Sequence, residues 1–191
     1  MFLTAFLKRA KRIVKMRARE FTVAGVLATT QIAEAQDNPY SDVGDVDALK
    51  TMIKQHEGNR LEVYKDTLGL DTVGYGHLVK PGEDYSAGIT QQQADELFDK
   101  DFDHHYQAAT KTPGWDLASP KQRRAMVDLT YNMGGNWHKK FPKFSAAAAA
   151  GDWRTAANEL RNSKWYKQVK SRGQTVTRMI GEPQGDQTAG L

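Results

Sequence analysis

The chain of 191 residues contains no cysteine, so disulfides and thiolate metal sites are excluded and stability must come from packing. That absence leaves the compartment open. It also lacks an apolar run able to cross a membrane, because the weakly apolar stretch from Phe21 to Thr30 falls well short of the roughly 20 residues required. No internal repeat is visible. His104-His105, following Asp103, lacks the spacing that puts two imidazoles on one helix face, so no metal and no cofactor is expected. A surplus of one charge is missing from most of the chain as well. The net charge is +4, yet residues 1–36 carry seven basic side chains against Glu20 and Glu34, and the rest sums to −1. The high pI belongs to the N-terminal segment, and nucleic acid is not an expected partner.

That segment sets Phe2, Leu3, Phe6, Leu7, Ala10, Ile13 and Val14 at helical spacing with basic residues between them. It reads as a basic amphipathic helix, suited to docking on a partner protein or lying on a membrane surface. Ala33-Glu34-Ala35 has the small-x-small form of a cleavage site, which keeps a signal-like reading open. Residues 37–44, with Asn38-Pro39 and several aspartates, have linker chemistry; they precede a domain over 45–182 and a flexible tail over 183–191.

Within the domain, Asp45 can cap a helix carrying Leu49, Met52 and Ile53, with Gly58 as its stop. From Leu61 to His77, β-branched and aromatic residues alternate with glycines, the pattern of a small antiparallel sheet, and Lys80-Pro81-Gly82 turns out of it. Thr90-Gln91-Gln92-Gln93 and Ser119-Pro120-Lys121-Gln122 have the capping-box form, and Asp152 can open a further helix. An apolar content of 39% suffices for one good core. The fold class expected is α+β, with a small antiparallel sheet lobe and a larger helical lobe. The C-terminal stretch holds Arg154, Arg161, Lys164, Lys167, Lys170, Arg172 and Arg178 against Glu159 alone, which suits a polyanionic polymer or a solvated helix face.

Two carboxyls stand nine residues apart, Glu57 at the end of the first helix and Asp66 in the glycine-punctuated run. Cleaving a sugar acetal needs a proton delivered to a poor leaving group while positive charge builds on the ring; a carboxylic acid does the first and a carboxylate stabilises the second. Glu57, beside an apolar helix face, suits the acid, since partial desolvation favours the protonated form. Asp66, flanked by Lys65 and Thr67, suits the ionised partner. If the hairpin folds back over the helix end, Thr72 faces the same cleft and could hold a water between itself and Asp66.

The run Glu57-Gly58-Asn59-Arg60-Leu61, Tyr64-Lys65-Asp66-Thr67-Leu68-Gly69 and Thr72-Val73-Gly74-Tyr75-Gly76-His77 resembles the catalytic region of the T4-type phage lysozymes, muramidases of glycoside hydrolase family 24. Weaker similarity continues through Leu97–Asp101, Asn132-Met133-Gly134 and Ser163–Tyr166, while the segment before residue 45 has no counterpart. The resemblance implies a lysozyme-like fold, with Glu57 as general acid, Asp66 as ionised partner and Thr72 helping to hold the attacking water. It implies inverting cleavage between N-acetylmuramic acid and N-acetylglucosamine in peptidoglycan. It further implies a structural ion pair of His77 with Asp101, and a cleft wall that includes Gly76, Leu78, Tyr131, Asn132, Trp165 and Tyr166. Lys164 stands where an arginine is usual, and residues 136–144 diverge. The expected setting is a phage virion, with residues 1–36 docking on tail or capsid proteins, or the host periplasm and cell wall at lysis. A structural or wall-binding virion protein with a non-catalytic lysozyme fold is the alternative.

Overall fold

The computed structural model describes residues 38–182. The N-terminal helix expected over 1–36, and the tail expected over 183–191, lie outside the described residues. The chain divides into two units, residues 1–41 and 42–191, and the second contains every element that follows.

Helix α1 (Val46–Glu57) opens at Asp45, whose carboxylate accepts from the Ala48 amide at 2.9 Å, and ends at Gly58. Its apolar positions Leu49 and Ile53 are fully buried. The chain then builds a three-stranded antiparallel sheet in sequence order, β1 (Arg60–Lys65), β2 (Asp71–Gly74) and β3 (His77–Leu78). Tyr64 faces Thr72 and Lys65 faces Asp71, with an irregularity between Arg60 and Tyr64. Most of β1 is exposed, whereas Val73 of β2 is fully buried. Val73 packs with Ile89, Ala94 and Leu97, and this small cluster is the core of the sheet lobe.

The long helix α2 (Gln91–Ala109) starts at the Thr90 capping box and, at 1.5 Å per residue, runs about 28 Å. Its first half packs on the sheet through Ala94 and Leu97. Its second half turns Phe102, Tyr106 and Ala109 into the helical lobe. That lobe comprises α3 (Pro120–Met133), opened by the Ser119 capping box, α4 (Pro142–Ala149), α5 (Trp153–Arg161), α6 (Lys164–Val169) and α7 (Ser171–Gly181). Met126, Leu129, Trp137, Phe144, Leu160 and Ile180 form its interior. The Trp137 indole in this interior is satisfied, since its Nε1 donates to Thr130 Oγ1 at 3.0 Å. The result is the expected α+β arrangement of a small sheet lobe and a larger helical lobe.

Six of the seven basic residues expected on the C-terminal helices are exposed, but Arg172 is buried. The solvated-face reading therefore fails at Arg172, because that residue shares one face of α7 with the buried Val176, Met179 and Ile180.

Candidate active site

A cleft of about 580 Å³ opens where α1 ends against the sheet, and Glu57, Asp66 and Thr72 all line it. Each reaches it by a different route. Glu57 is the last residue of α1. Asp66 follows β1 in a tight turn that its own carboxylate organises, with Oδ1 accepting from the amides of Leu68 and Leu70, both at 2.8 Å. Among the described residues no donor meets Oδ2, so that oxygen is free to act on a ligand. Thr72 is drawn in by the register that pairs it with Tyr64, and its Oγ1 lies 3.2 Å from the Leu70 carbonyl oxygen.

Glu57 is held from behind. Arg172 Nη1 donates to Glu57 Oε1 at 2.7 Å, while Nε and Nη2 of the same guanidinium reach the Asp128 carboxylate at 3.0 and 3.1 Å. Asp128 is wholly buried in α3 and also lies 2.9 Å from His56 Nδ1. Burial opposes the charge on Arg172, but Asp128 and Glu57 outweigh it and raise its pKa. Only the fixed planar fork of an arginine can meet both carboxylates at once. Two residues before Arg172, Lys170 takes φ +48 to swing α6 into α7. Opposite, Gly76 has φ +89, and any Cβ there would stand 3.6 Å from Glu57 Oε2; a glycine therefore serves both the backbone and the access to that oxygen.

The cleft wall includes Gly76, Leu78, Tyr131 and Asn132. Trp165 and Tyr166 do not line it, which corrects their expected location. Trp165 is buried behind the wall, and its indole Nε1 donates to Asn132 Oδ1 at 2.8 Å. That bond fixes the Asn132 side chain through its oxygen. Tyr131 is tied by its hydroxyl to the Tyr75 carbonyl at 3.2 Å, and burial holds its phenol protonated far above the ordinary range.

His77 and Asp101 meet at 2.7 Å, and the second ring nitrogen of His77 lies 3.1 Å from Glu83. With a carboxylate at each nitrogen, the imidazolium is favoured: the Asp101 bond raises the His77 pKa most, burial opposes it, and Glu83 adds to it. This pair ties β3 to α2, and Asp101 also lines the cleft.

A family profile for phage lysozyme matches residues 54–180. The chain is 30% identical to the pre-baseplate central spike protein of Enterobacteria phage T4, over 75% of this chain and 30% of the spike protein. It is 28% identical to a probable T4-type lysozyme of Dictyostelium discoideum, over 69% and 92% of the two chains. It is 32% identical to the endolysin of Salmonella phage P22, over 44% and 59%. The chain belongs to the phage lysozyme family. It carries a glycoside-hydrolase domain of the lysozyme type, although it spans less than a third of the spike protein.

Of the groups in and around this lysozyme cleft, Asp128 and Glu83 drew no notice in the sequence, Arg172 was read only as part of a basic stretch, and His105 only as half of an adjacent histidine pair without metal-ligand spacing. For Arg172 a signal existed in the spacing, since positions 172, 176, 179 and 180 share one helix face whose other members are apolar. Asp128 likewise interrupts the otherwise apolar or small run Ala125–Leu129. Glu83 and His105 carried no such mark, because their partners lie on other elements.

Proposed function

We propose that this protein hydrolyses the β-1,4 bond between N-acetylmuramic acid and N-acetylglucosamine in bacterial peptidoglycan by an inverting displacement. The observation that carries the reading is the convergence of Glu57, Asp66 and Thr72 on one cleft from a helix end, a turn and a strand. Since Arg172 occupies Glu57 Oε1, the transferable proton is assigned to Oε2. It passes to the glycosidic oxygen as the bond from that oxygen to the anomeric carbon breaks. A water held between Asp66 Oδ2 and Thr72 attacks the opposite face of the sugar and gives its proton to Asp66. The ionised aspartate also stabilises the positive charge that builds on the ring.

The setting we infer is a virion-borne enzyme that opens the wall, with residues 1–36 docking on particle proteins. The similarity to a baseplate spike protein and the basic amphipathic pattern of that segment support it over release at lysis.

The test is mass spectrometry of fragments released from purified peptidoglycan by the wild type and by Glu57→Gln, with the product anomer followed by proton NMR. Reducing-end N-acetylmuramic acid, initially the α-anomer, should appear only with Glu57 intact. Anhydro ends would replace hydrolysis by a transglycosylase reaction. Equal release by both proteins would remove Glu57 from the mechanism, and release by neither would favour a non-catalytic virion protein.

A further inference from the structure

His105 lies on α2 one turn beyond Asp101 and lines the cleft beside Tyr131 and Asn132, yet the hydrolytic steps above give it no task. Its ring rests on Tyr131, with centroids 4.7 Å apart and planes tilted by 48°. That support is itself fixed, because Tyr131 packs on Phe98 with planes tilted by 34° at 5.6 Å, and Phe98 meets Tyr75 edge-to-face at 5.5 Å. The imidazole thus has a held orientation at the cleft wall.

Of its ring nitrogens, Nδ1 is sealed from solvent and has no hydrogen-bond partner. Asp101, the nearest carboxylate on the same helix face, is already engaged by His77 at 2.7 Å. An orphaned buried N–H is rarer than an orphaned lone pair, so the neutral tautomer favoured here leaves Nδ1 bare and puts the proton on Nε2. Burial lowers the His105 pKa, with Asp101 opposing and His104 assisting, which keeps the ring uncharged at neutral pH. Ligand clefts use a small number of placed polar groups to fix orientation, and a neutral N–H donor at the wall suits an oxygen of an uncharged sugar.

We propose that His105 is a sugar-contacting residue that donates from Nε2 to an oxygen of an N-acetylated aminosugar in the cleft. This rests on the peptidoglycan reading above, and it concerns binding and not the chemical step. The unpartnered Nδ1 is then the cost of presenting Nε2 to the ligand.

The test compares His105→Gln, His105→Asn, His105→Ala and His105→Phe on soluble peptidoglycan chains. The amide nitrogen of glutamine sits where Nε2 was, that of asparagine sits nearer Nδ1, and phenylalanine keeps the stack on Tyr131 without any donor. We expect His105→Ala, His105→Asn and His105→Phe to raise KM about five- to tenfold, the scale of one lost hydrogen bond. Their kcat should stay within about twofold of the wild type, and His105→Gln should restore most of the KM. A wild-type KM for His105→Phe would mean the ring only stacks, and equal impairment of all four variants would mean it only packs; either overturns the proposal. If the wild type itself releases nothing from walls, the hydrolase reading fails separately. The contact is then read by titrating the wild type with the tetramer of N-acetylglucosamine and following the His105 Nε2 resonance. No shift would overturn the proposal, and a saturable shift, with at least fivefold weaker affinity for the tetramer in His105→Phe, would uphold it.

Discussion

Removing the guanidinium of Arg172 would leave the entirely buried carboxylate of Asp128 with His56 as its remaining side-chain partner and release the grip on Glu57. Breaking a buried pair by deleting one partner is costly because the other charge stays behind without solvent. Arg172→Ala is therefore expected to lose about 3–5 kcal/mol of stability in urea denaturation, and Arg172→Ala/Asp128→Ala to recover part of it. Arg172→Lys should not rescue the site, since one ammonium cannot span both carboxylates. His77 makes a second residue-scale prediction. Its folded-state pKa lies above the ordinary 6.5, chiefly through Asp101. Its contribution is therefore fully present below about pH 6.5 and is lost as pH rises through the folded value. The stability difference between wild type and His77→Gln should be largest in mild acid and shrink through that rise, measured by denaturation across pH. The pairing of His77 with Asp101 was implied by family resemblance, whereas Glu83 was not, because a loop carboxylate six residues away carries no periodic signal.

At the scale of elements, capping chemistry located four of the seven α-helices among the described residues and missed the starts of α4, α6 and α7. Asp45, Thr90, Ser119 and Asp152 each accept from an amide three residues on, and each could be read locally because a cap and its helix are contiguous. The approach of one element to another could not. Gly114, with φ +85, lies so close to the end of α4 that a Cβ there would overlap the Ala148 carbonyl oxygen. Gly114→Ala combines a left-handed backbone with overpacking and is expected to cost about 2–4 kcal/mol, seen as a lowered midpoint in thermal unfolding. Nothing in the sequence around residue 114 distinguishes it from an ordinary turn glycine, since the clash is with a residue 34 positions away.

For the whole molecule, charge and domain division point the same way. Residues 1–36 hold more than the entire net positive charge, and the family match begins at residue 54. A chain lacking residues 1–36 is expected to keep kcat/KM on purified walls within about twofold, because the catalytic domain carries its own core. It should lose attachment to phage particles, checked by co-sedimentation; loss of wall digestion instead would tie that segment to the enzyme. The sequence alone determined the contiguous features: the helix starts, the glycine-spaced hairpin, the carboxyls Glu57 and Asp66, and through them the family. Each depends on residues within a turn or two of chain, where spacing maps directly onto geometry. Only the tertiary structure decided that Arg172 is buried against Glu57 across 115 residues, that Trp165 stands behind Asn132, and that His105 faces the cleft. Those contacts join elements far apart in the chain, and which side chain meets which follows from how the helices pack together, which no local periodicity records.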